Sequence, residues 1–76
     1  MPPIISYILI ITKIGREHEI AESTRKIKGV TESLIVYGQF DIVVRIETET
    51  LQELDRAVTL IRKMDGVEQT STLISS

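Results

Sequence analysis

One stretch of this chain is weakly echoed later in it. RKIKGVTESLIV, residues 25–36, returns as RKMDGVEQTSTLI, residues 62–74. Each copy runs from a basic segment through Gly-Val into an extended pattern. The two glycines, Gly29 and Gly66, lie 37 residues apart, and the same offset lays Ile5–Ile10 over Ile42–Glu47. A duplication inside 76 residues constrains the fold to a single domain of two similar halves, each a strand, a helix, a Gly-Val turn and a second strand.

The periodicity within each half supports that division. Residues 16–28 place Ile20, Ala21, Thr24 and Ile27 on one stripe at helical spacing. Their acids (Glu17, Glu19, Glu22) precede their bases (Arg25, Lys26, Lys28), as the helix dipole favours, and Gly29 suits the left-handed position past the C-terminus. The second helix opens on the capping-box pattern Thr50-Leu51-Gln52-Glu53. Its buried stripe reads Leu51, Leu54, Ala57, Val58, Ile61 and Met64, and Gly66 ends it. Met64 at that spacing reads as core filling.

The order is β-α-β-β-α-β, the ferredoxin-like motif of the α+β class: a four-stranded antiparallel sheet with both helices on one face. The strands that precede the helices belong in its middle. They are also the most apolar, YILII at residues 7–11 and FDIVVRI at residues 40–46. The strands that follow the helices are more polar, as edges should be.

A sheet covered on one face should alternate apolar with polar residues. Here it does not. Tyr7, Leu9 and Ile11 oppose Ile8 and Ile10; Val43 opposes Phe40, Ile42, Val44 and Ile46; Leu34 and Val36 oppose Ile35 and Tyr37. Two helices cover one face only. A chain this short buries only about 60–65% of its unfolded surface, and with no cysteine it has no disulfide to staple it, yet 42% of it is apolar. A second copy packed sheet against sheet is the simplest cover for the other face.

Composition excludes several functions. The net charge is −2, and each group of Lys and Arg has acids beside it, so there is no basic face for a phosphate backbone. Aromatics are 4% of the chain, and the third strand offers only Phe40 for stacking a base. The N-terminal run at residues 4–11 is interrupted by Ser6, too short to span a membrane, and has no basic flank or cleavage site. A cytoplasmic protein with no membrane contact is expected. His18, the only histidine, stands among Glu17 and Glu19 with no nucleophile beside it, and with Glu22 it makes a poor metal pair. No phosphate-binding glycine loop or Cys-x-x-Cys is present. The expectation is no enzyme, no metal and no cofactor.

Two stretches remain. In YGQFD, residues 37–41, Gly38 permits a positive φ, Phe40 opens the core face, and Asp41 follows it at the beginning of the strand. Asp41 has two readings: a turn acid accepting backbone N–H bonds, or a carboxylate offered to a ligand. In VEQTSTLI, residues 67–74, Thr70 and Thr72 share a face of the last strand. They read either as edge threonines of good β propensity or as a pair of ligand hydroxyls. Hydroxyls, turn amides and a carboxylate together fit a zwitterion such as an α-amino acid.

These residues resemble a known family. Gly38-Gln39-Phe40-Asp41 followed by IVV is similar to the Gly-x-aromatic-Asp strand start of the Lrp/AsnC feast/famine regulators. Gly66-Val67 followed by Thr70-x-Thr72 is similar to that family's last strand, and Gly29-Val30 fits too. The resemblance implies the family's amino-acid effector domain, dimers paired sheet to sheet, rings (commonly octamers) of those dimers, and effectors bound between dimers. It implies effector contacts at Gly38, Gln39, Phe40 and Asp41 and at Thr70 and Thr72, with Gln39 at a variable position. The main departure is the absence of the family's helix-turn-helix, so residues 1–76 are expected to form one stand-alone module with no DNA-binding domain. Such a module is expected to act on transcription or amino-acid metabolism without touching nucleic acid directly, alone or co-assembled with full-length Lrp/AsnC regulators. Alternative readings are a small enzyme built as a dimeric α/β barrel, an ACT-like regulatory domain, and a purely structural assembly module. Enzymes of the barrel type commonly use a histidine, asparagine or tryptophan in the cavity, and this chain has no asparagine or tryptophan.

Overall fold

A computed structural model describes residues 3–75. The elements run β1 (Ile4–Thr12), α1 (Glu17–Arg25), β2 (Val30–Ile35), β3 (Ile42–Thr48), α2 (Leu51–Arg62) and β4 (Val67–Ile74). They form one antiparallel sheet in the order β2-β3-β1-β4, with β1 and β3 in the middle and the more polar strands at the edges. The order and the placement of the strands are as the repeat implies. The repeated glycines adopt matching conformations, φ +97° at Gly29 and +96° at Gly66, each at the turn between helix and strand. Among the described residues no helix is long and apolar enough to cross a membrane.

The core lies between the helices and one face of the sheet. Ile8 and Ile10 of β1, Ile42, Val44 and Ile46 of β3 and Ile61 of α2 are wholly buried, and Ile20, Ala21, Leu54 and Ala57 complete the cluster. Each large aliphatic side chain so buried contributes about 1.5–3 kcal/mol. Thr24 is also buried; its hydroxyl donates to the Ala21 carbonyl at 2.7 Å and meets Ser33 Oγ at 2.8 Å, which ties α1 to β2.

The other face of the sheet stays open and carries an apolar patch, with the Arg45–Glu47 ion pair beside it. Tyr7, Leu34 and Leu73 are 38, 49 and 53% exposed there, and Leu9, Ile11 and Val43 are half-buried among them. The register aligns Tyr7 with Arg45 and Leu73, and Leu9 with Val43 and Ser71. Leu34 pairs with Val43 on that same face.

Several boundaries differ from the sequence reading. The first helix stops at Arg25 rather than residue 28, because Ile27 N–H bonds back to Thr24 and Val30 N–H to Ile27 in a tight turn. Ile27 still packs on the core from outside the helix. Phe40 and Asp41 precede β3 instead of opening it. Tyr37 lies past β2 and is fully exposed. Leu51, expected in the buried stripe of the second helix, is 63% exposed. The rest of that stripe holds: Leu54, Ala57 and Ile61 are buried, and Val58 and Met64 pack on the core. The expected cap is present, with Thr50 Oγ1 accepting the Glu53 N–H at 3.1 Å.

Candidate functional site

The 36–41 connection links β2 to β3. Gly38 takes φ +123°, and no heavy atom lies within 4 Å of where its Cβ would stand, so conformation rather than crowding requires glycine. Gln39 is exposed and Phe40 half-buried. Asp41 is bound into the sheet on three sides. Its N–H donates to the Ile10 carbonyl at 2.8 Å, its carbonyl accepts from Val36 N–H at 2.9 Å, and its Oδ2 accepts from Thr12 N–H at 2.8 Å. The side chain therefore takes the place of a ladder carbonyl at the end of β1. Among the described residues Oδ1 accepts no hydrogen bond.

Thr70 and Thr72 stand on β4, opposite Ile10 and Ile8 of β1. Paired residues share a face, so both threonines project toward the helices. Their backbone is free as well. Ser75 N–H donates to the Ile5 carbonyl at 2.8 Å, which makes Ser75–Ile5, Leu73–Tyr7 and Ser71–Leu9 the bonded pairs. Bonded and non-bonded positions alternate in an antiparallel ladder, so Thr70, Thr72 and Ile74 turn their N–H and C=O groups outward from the sheet. The opposite edge is partly capped: Arg25 Nη2 donates to the outward Ser33 carbonyl at 2.8 Å.

An open groove of about 500 Å³ runs between this free edge and α2. Val58 and Arg62 line the helix side; Thr70, Thr72 and Glu68 line the strand side. Sequence reasoning found the threonines but singled out neither Arg62 nor Glu68. No spacing signal marks either residue, because the groove forms only when α2 folds back over β4.

The two predicted clusters do not meet within one chain. Thr70 and Ile42 flank Ile10 on opposite sides, so β1 separates the threonines from the Asp41 turn by two strand spacings, about 10 Å. His18 is exposed on the first turn of α1. Arg16, Arg25 and Arg45 are held by acids elsewhere. Hydrogen bonds to Glu19 first, then Asp65, raise the Arg16 pKa above its ordinary value, and Glu47 foremost, then Tyr7, does so for Arg45. Arg16 Nη1 reaches Asp65 Oδ2 at 3.2 Å, fastening the start of α1 to the turn before β4.

The exposed polar edge of β4 borders a groove whose walls are mostly polar, on a sheet whose far face is open. The family model for the Lrp/AsnC ligand binding domain matches residues 6–76. The HTH-type transcriptional regulator FL11 of Pyrococcus furiosus is 34% identical over 71 residues, which are 93% of this chain and 47% of FL11. The solved structure of FFRP-DM1 is 39% identical with a TM-score of 0.90, covering 96% of this chain and 99% of that one. The hypothetical protein PHS023 from Pyrococcus horikoshii is also 39% identical, with a TM-score of 0.89 and coverage of 96% and 89%. The chain belongs to the Lrp/AsnC family, as its ligand-binding domain. It spans about half the length of the curated relatives it matches. It is a regulatory domain of a transcription-regulator family and not an enzyme.

Proposed function

We propose that the domain is an amino-acid sensor whose assembly responds to its ligand, acting in the cytoplasm on transcription or amino-acid metabolism. The observation that carries this reading is the free β4 edge. Thr70 and Thr72 offer hydroxyls toward the groove and amides outward from the same strand. Such a row of donors suits the carboxylate of an α-amino acid. Asp41 and the turn at Gly38, Gln39 and Phe40 supply the rest of the site from a neighbouring copy, with Oδ1 of Asp41 taking the ammonium and Gln39 bearing on ligand preference. A site split between copies accounts for two clusters that one chain keeps apart.

The same reading assigns the open face, with Tyr7, Leu9, Leu34, Val43 and Leu73, to a second copy packed sheet to sheet. Dimers then assemble into an octamer or similar ring, with or without full-length Lrp/AsnC regulators, and the ligand binds between dimers. A ligand seated between copies shifts the population of assembled states by its differential affinity for them.

A thermal-shift screen against the twenty amino acids, one at a time, tests the reading. A ligand at a hundred times its Kd stabilises by about 2.7 kcal/mol, and each kcal/mol moves the Tm of a domain this size by roughly 4–8 °C. The expected result is a selective rise of roughly 11–22 °C for one or a few amino acids. Twenty indistinguishable melting curves would refute it.

A further inference from the structure

Arg62 and Glu68 stand on opposite walls of the groove that holds Thr70 and Thr72. The ion pairs among the described residues engage Arg16, Arg25 and Arg45, and neither groove residue takes part in one. Glu68 also sits at a break in the ladder. Gln69 pairs with Ile11 and Val67 with Thr12, so Glu68 is the extra residue of a β-bulge with no partner on β1. A bulge of this kind re-aims a side chain out of the regular alternation. Between the charges the groove presents Val58 and Val67, both half-buried.

We infer that Arg62 and Glu68 select the ligand's side chain, and that the ligand class is an amino acid with a carboxamide side chain, glutamine before asparagine. This rests on the amino-acid reading of the Thr70–Thr72 edge. With the head group held there, the side chain runs over Val58 and Val67 toward the two charges. A cationic side chain would pair with Glu68 but meet Arg62. An anionic one would pair with Arg62 but meet Glu68. An apolar one would offer a partner to neither charge. A carboxamide carries an acceptor for the guanidinium and a donor for the carboxylate, with no net charge. Glu68 precedes Thr70 by two residues across the bulge, which favours the longer of the two carboxamides.

The test is a thermal-shift and calorimetric comparison of glutamine, asparagine, glutamate, lysine and leucine on the wild-type domain and on Arg62→Gln and Glu68→Gln. Both side chains are exposed, so neither change endangers the fold. The wild type is expected to bind glutamine most tightly. Glu68→Gln removes the repulsion of an anion while keeping Arg62, so the ratio of glutamate to glutamine affinity should rise at least tenfold. Arg62→Gln should do the same for lysine. A wild-type preference for leucine, lysine or glutamate, or ratios unmoved in both variants, overturns the carboxamide assignment and leaves the amino-acid sensor standing. No binding by any of the twenty amino acids overturns both.

Discussion

Replacing Asp41 by alanine removes more than a candidate ligand group. Oδ2 is the acceptor for the Thr12 N–H at 2.8 Å, at the point where β1 leaves β3. Thr12 is itself buried, so its N–H has little access to water once the carboxylate is gone. A hydrogen bond to a charged acceptor contributes about 1.5–3 kcal/mol. Asp41 is half-buried, and the lower part of that range, about 1.5–2 kcal/mol, is appropriate. Asp41→Ala should therefore lower the Tm by roughly 6–16 °C. Asp41→Asn keeps an amide oxygen for the Thr12 N–H and should recover most of the loss. Thermal unfolding followed by circular dichroism, without amino acid present, reads this directly. An Asp41→Ala domain that melts with the wild type would refute the argument that the carboxylate completes the ladder. The same pair of variants separates brace from ligand contact: the amide preserves the first and lacks the charge for an ammonium.

Other substitutions probe the remaining parts of the account. Leu34→Glu places a charge on the open face without touching the core, so light scattering should show the sheet-to-sheet dimer reduced to monomer; an unchanged mass would move the interface elsewhere. Gly66→Ala forces an L side chain to φ +96° and sets its Cβ 3.0 Å from Arg16 Cζ and Ile20 Cδ1, so a loss of at least about 1–2 kcal/mol is expected in denaturant unfolding. Thr50→Ala removes the cap on Glu53 N–H and should lower stability by about 1 kcal/mol in the same assay.

Much of this architecture can be read from the chain because its two halves repeat. The duplicated Gly-Val turns and the paired helical stripes determine the order of elements, and the apolar richness of β1 and β3 places them in the middle. Helix ends are less legible. Ile27 continues the apolar stripe of α1 and packs on the core, yet the backbone has already left the helix by then. Leu51 has the right spacing for burial, but it begins α2 at the rim, near Ile74, where the sheet ends; Ile74 is itself 54% exposed. Asp41 was legible as one of two things, and its bond to Thr12 requires knowing that β3 lies beside β1. Thr70 and Thr72 were legible as a pair on one face. That their amides turn outward depends on the phase of the β1–β4 ladder, which spacing along β4 alone does not contain. Arg62 and Glu68 belong to the site only through tertiary contact between α2 and a bulged strand.

The central claim is that the Thr70–Thr72 edge holds an amino acid. Calorimetric titration of the most stabilising amino acid into the wild-type domain and into Thr70→Val/Thr72→Val, at equal oligomer mass, measures it most directly. Two lost hydroxyl bonds at about 0.5–1.5 kcal/mol each correspond to a roughly 5- to 150-fold weaker Kd. That loss, with mass unchanged, is the predicted result. Equal affinity in the two proteins would contradict it.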